Sequence, residues 1–143
     1  MLQKLRDNEK GLTLIELLVV VVILGIIAAI AIPSIGGLIN NARADAHLAN
    51  AQQMISSTRL YVASEADFNL VDDDEIPLAE LISRGYMEPV EDPFGDGPYT
   101  GDAYVTVSQE PNGTYTYLVT LHSSNATYNI NGESQSDLNR DLF

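Results

Sequence analysis

Cysteine is absent from this 143-residue chain. No disulfide can staple it, its compartment cannot be read from thiol usage, and the classical zinc spacings are excluded. Histidine is nearly absent. His47 and His122 lie far apart in sequence, and each reads as a surface or packing residue, so nothing nominates a catalytic centre. Lysine disappears after Lys10. The net charge is −13, and from Leu12 onward only four arginines stand against eighteen acids, which leaves that part at −14. Such a surface repels nucleic acid and anionic lipid heads, which argues against direct nucleic-acid binding. Aromatic side chains are missing before Tyr61, so the first half offers no aromatic stripe for electron conduction. No internal repeat is present.

Polar side chains are also missing from Leu17 to Ile32. The apolar segment Leu12–Ile32 has 21 residues, roughly 31 Å as a helix and about one hydrocarbon thickness. Three readings are open: a plain membrane anchor, a secretory signal with Ala29-Ile30-Ala31 as a small-x-small cleavage site, or a span that later packs into an assembly. Glu16 separates them. An acid about one turn inside an apolar segment is costly and brings nothing to a generic anchor or signal. Lys4, Arg6 and Lys10, weakened by Asp7 and Glu9, favour a cytoplasmic N-terminus.

Lys10-Gly11-Leu12-Thr13-Leu14-Ile15-Glu16 resembles the processing site of type IV prepilins and pseudopilins. The match runs over roughly residues 10 to 35. It includes the short charged leader, the apolar run, Gly25 and Pro33; Leu12 departs mildly from the usual phenylalanine or methionine. The resemblance implies that a prepilin peptidase cuts after Gly11 and methylates the new amine of Leu12. Glu16 would then pair with the Leu12 ammonium of a neighbouring subunit. Both charges are expensive alone in an apolar medium, so the pair would fix register more than it adds stability. Methylation keeps the charge. Gly25 and Pro33 weaken the helix by roughly 1 and 3 kcal/mol, which makes the stretch between them a candidate for a static bend or for loosening when subunits pack.

The remainder reads as helix to about Glu65, with Ile35, Leu38, Ile39, Ala42, Ala46 and Ala49 at helical spacing. Met54, Ile55, Leu60 and Val62 broaden that stripe. Glu65 to Glu75 reads as an acidic loop, and Asp72-Asp73-Asp74-Glu75 as its solvated charge run. A short helix follows from Pro77 to a Gly85 cap, then an irregular loop rich in proline and glycine. Strands are expected over 103–109 and 114–123, joined by Glu110-Pro111-Asn112-Gly113. A third is expected over 126–130, and a polar surface tail from Gly132. Asn112-Gly113-Thr114 and Asn125-Ala126-Thr127 fit the general glycan-acceptor pattern. Asp92 to Tyr99 resembles the Asp-Pro-aromatic-Gly segment of pseudopilins and of some Gram-positive pilins. By that resemblance Asp92, Asp96 and Asp102 are candidate calcium ligands, although their spacing misses the EF-hand template and a turn-rich connector fits the residues better.

The expected fold is α+β: a long N-terminal helix, spanning the membrane and then forming a filament core, packed on a small antiparallel sheet in the pilin manner. The expected divisions are a leader over 1–11, the helix over 12–65 with its hydrophobic segment at 12–32, and an acidic head over 66–143. The expected function is the major structural subunit of an extracellular type IV pilus-like filament. The alternatives are a major pseudopilin of a type II secretion system or a competence pilin for DNA uptake. The protein itself catalyses nothing and needs no cofactor beyond the candidate calcium. Its expected partners are copies of itself, the prepilin peptidase, and an assembly platform with its motor ATPase. The precursor sits in the cytoplasmic membrane and the assembled subunit on the cell surface.

Overall fold

The computed structural model describes residues 13–65 and 74–143. Helix α1 runs Leu14–Ser64. The chain divides into two compact units with the boundary after Asn40.

In the first unit, α1 stays helical through Gly25 and Pro33. Pro33 has no N–H to offer the carbonyl one turn earlier. The Ser34 hydroxyl donates instead to the adjacent Ile30 carbonyl at 3.0 Å. Nearly every side chain from Thr13 to Asn40 is exposed. Among the described residues α1 is the one helix long and apolar enough to cross a membrane.

The second unit holds the core. Strands β1 (Asp74–Pro77), β2 (Ala103–Gln109), β3 (Tyr115–Leu121) and β4 (Ile130–Glu133) form an antiparallel meander in sequence order. Period-2 alternation puts Val105, Val107, Val119 and Leu121 on one face, paired in register as Val105↔Val119 and Ala103↔Leu121. That face meets Leu48, Ala51, Met54, Ile55, Tyr61 and Val62 of α1 in one cluster. These helical positions recur every three or four residues, as a single buried stripe requires. Helix α2 (Leu78–Ser83) adds Leu78 and Leu81. It ends as the sequence predicts: Gly85 at φ 79° lets its own N–H reach the Ile82 carbonyl and the Tyr86 N–H reach Leu81. In the β2–β3 turn, Gly113 at φ 83° follows Asn112, whose Oδ1 accepts from the Thr114 N–H at 2.9 Å.

The α+β expectation holds, with four local corrections. Asp74 and Glu75 are not loop but the start of β1, whose sole buried side chain is Ile76. Asp72 and Asp73 lie outside the described residues. The segment 126–130 is not a strand. Asn125 Oδ1 captures the Thr127 N–H and caps a 3-10 turn over Ala126–Tyr128, so β4 begins only at Ile130. The tail is not merely surface: Leu138 is buried, and Leu142 and Phe143 pack against the core. Finally, the buried stripe of α1 departs from its apolar pattern: Met54, Ile55 and Val62 are buried in the core, but Leu60 is exposed and Ala44, His47 and Leu48 turn inward, while Ile35, Leu38, Ile39, Ala42, Ala46 and Ala49 lie exposed on the subunit.

Candidate assembly site

Gly11 and Leu12 lie outside the described residues. Glu16 occupies the first turn of α1. Its Oε2 accepts from the Thr13 N–H at 2.9 Å and from the Thr13 hydroxyl at 2.7 Å, while the Glu16 N–H points back to Thr13 Oγ1 at 3.4 Å. This reciprocal arrangement is a capping box, which satisfies donors that a helix start leaves open. Thr13 is the residue sequence reasoning missed, although Thr-x-x-Glu ahead of an apolar run was the available signal. The carboxylate is thus held at the helix start, where a negative charge also suits the helix dipole. Around it Leu14 is 88% and Ile15 70% exposed. The site is an oriented carboxylate among exposed apolar side chains. Gly25 and Pro33 stand further along the same helix, with open space about Gly25.

The three calcium candidates are not gathered. Among the described residues no three acids or histidines cluster as a metal site. Asp92 is buried and its oxygens are already taken: Oδ1 accepts from the Phe94 N–H at 3.0 Å and the Ser123 hydroxyl at 2.9 Å, and Oδ2 from the Ser124 N–H at 2.6 Å. Burial pushes its pKa up, but the Ser124 and Phe94 amides and the serine hydroxyls outweigh that and hold it below the usual range. Asp102 stands 3.4 Å from His122 Nδ1, and Asp96 is exposed. Asp92 is therefore a clasp between the loop after α2 and the segment after β3.

His47 lies under that clasp, fully buried among the rings of Phe94, Tyr99 and Phe143. Its Nδ1 meets the Tyr99 hydroxyl at 2.9 Å, and Asn50 Nδ2 donates to the same hydroxyl at 3.0 Å. Burial pushes the Tyr99 phenol up to about 12, so it stays protonated. Burial likewise drives the His47 pKa down, against the opposing pull of Asp92 and of the Tyr128 and Leu121 backbone. The folded head therefore holds neutral imidazole while the unfolded chain titrates near ~6.5. Below that pH the unfolded state takes up a proton that the fold refuses, so stability present above ~6.5 is lost as pH falls through the folded pKa. The urea midpoint of the detergent-solubilised chain should drop between pH 7.5 and 5. His47→Gln should flatten that dependence; an equal drop in the variant would contradict this reading.

Residues 6–32 match the prokaryotic N-terminal methylation motif. This defines a class of proteins whose apolar N-terminal helix follows a processed leader. Type II secretion system core protein G of Klebsiella michiganensis is 28% identical over 109 residues, covering 76% of this chain and 71% of that protein. Its namesake from Dickeya chrysanthemi is 28% identical over 113 residues, covering 78% and 69%. No solved structure matches. Motif and relatives support the type IV pilin and pseudopilin family, whose members are structural subunits, as the one this chain resembles.

Proposed function

We propose that this chain is the major pseudopilin of a type II secretion system. The observation that carries the reading is the extent of the likeness. An alignment of 109 residues runs well past the 27 residues of the motif and into the head. The surface-pilus reading put first by sequence analysis has only the N-terminal motif behind it. In this account Leu12–Ile32 anchors the precursor in the cytoplasmic membrane. Prepilin peptidase cuts after Gly11 and methylates Leu12. An assembly platform with its motor ATPase then draws the subunit out of the lipid and into a short periplasmic fibre.

Physical support comes from the bare helix. The large hydrophobic side chains from Leu17 to Ile39 are about half exposed or more, an apolar surface that soluble monomers rarely keep open to water. Lipid covers it before assembly, and parallel copies cover it afterwards. There the Leu12 ammonium of one copy meets the Glu16 carboxylate of the next. Deleting the gene should leave exported proteins trapped in the periplasm, and cells at native expression should shed no long fibres on shearing. Normal export from the deletion strain, with surface fibres lost instead, would sink the secretion reading.

A further inference from the structure

Arginine is the only cationic side chain the described residues offer, apart from histidine, and three of the four arginines are engaged within the subunit. Arg59 Nη1 donates to Gln135 at 2.6 Å and lies over Tyr117. Arg84 bridges Glu80 and Glu65 at 3.0 and 3.1 Å and lies over Tyr61. Arg140 Nε donates to Asp45 at 2.6 Å. Among the described residues Arg43 is the one arginine with no ion pair or hydrogen bond, and it is exposed. Beside it on α1, Ala42, Ala46 and Ala49 are exposed and small.

Copies carrying fourteen surplus negative charges repel each other. A contact between two of them is favoured where it joins this spare cation to a spare acid. Exposed acids lie close to hand. Asn50, seven residues beyond Arg43, donates from Nδ2 to the Glu91 carbonyl at 3.2 Å, so the loop bearing Glu88 and Glu91 sits beside α1 at that level. Seven residues are two helical turns, about 10 Å, which keeps a subunit's own Glu91 away from its own Arg43. A parallel copy set back along the helix by about that distance brings its loop acids level with Arg43. We infer that Arg43 docks on the Glu88/Glu91 loop of a second copy of this chain. The inference rests on the filament reading and adds a contact between heads to the Leu12–Glu16 contact between helix starts.

The test is a charge swap in the full-length chain, expressed in cells with its assembly machinery. Arg43 is exposed and unpaired, so Arg43→Glu should accumulate as processed membrane protein at the wild-type level. Its filament yield should fall at least tenfold. Combining it with Glu91→Arg or Glu88→Arg should restore at least half of the wild-type yield. Wild-type yield from Arg43→Glu alone overturns the inference. Failure of both swaps to rescue also overturns it and points to lipid headgroups or another protein as the partner of Arg43. If the wild-type chain makes no filament, it is the filament reading that fails.

Discussion

Glu16→Gln is expected to be processed normally and to fail in assembly. This variant separates the cap seen at Glu16 from its proposed pairing with a neighbour. Glutamine serves a capping box as well as glutamate does, so the helix start should survive. What it cannot do is balance a neighbour's ammonium in apolar surroundings. Removing one partner of a buried pair costs about 3–5 kcal/mol, so incorporation should drop by about two to three orders of magnitude. Glu16→Ala loses the cap as well and should be at least as defective. Thr13→Ala gives the converse case. It keeps the acid but removes the cap, worth ~1 kcal/mol, and should lower yield by no more than about tenfold. The measurement is the filament fraction relative to processed membrane pool for each variant. Normal filaments from Glu16→Gln would mean that the carboxylate acts only within its own helix.

The second large effect is expected at Asp92. Asp92→Ala strips the acceptor from the Ser124 and Phe94 amides and the Ser123 hydroxyl together. Phe94 and Ser123 are half-buried and Ser124 is exposed, so water takes up part of the buried-donor penalty of about 1–3 kcal/mol each and the loss should be roughly 2–3 kcal/mol. For a head of this size that lowers Tm by about 10–15 °C. Asp96→Ala, at an exposed position, should leave Tm within about 3 °C, since surface changes away from such features stay near 0.5 kcal/mol. Thermal unfolding of the solubilised chain measures both. Equal and small shifts would show that the clasp is not what holds the two segments together. A rise in Tm with added calcium that vanishes in Asp92→Ala would reinstate the metal reading.

Some of this molecule was legible from sequence because a single local rule decided it. Gly85 ends α2, and Asn112-Gly113 turns the hairpin, for reasons visible in four or five residues. The uninterrupted run from Leu17 to Ile32 announced the exposed helix in the same way. What was missed depends on partners distant in the chain. Strand β1 has one buried apolar residue, Ile76, between charged Asp74 and Glu75 and Pro77; only pairing with β2 makes it a strand. The buried stripe of α1 includes His47, Ser57 and Thr58, which no hydropathy pattern would place in a core. The stripe of Ala42, Ala46 and Ala49, legible from its spacing, is apolar yet exposed. In the proposed filament other copies would cover it.

Asp92 shows the same limit at the candidate site. Its neighbours Pro93 and Gly95 advertised a turn, and its charge advertised a cation. Beside the nearby Phe94 amide, the donors that occupy it lie some thirty residues later, at Ser123 and Ser124. The Thr13–Glu16 box, by contrast, is written within four residues.

Sequencing the N-terminus of assembled material tests the account most directly. Edman degradation or mass spectrometry of sheared or overassembled fibres should return Leu12 as the first residue, carrying one methyl group on its amine. Fibres that begin at Met1 would leave Glu16 with no Leu12 ammonium to meet, and fibres that begin at Ile32 would lack Glu16 altogether; either result would contradict the account.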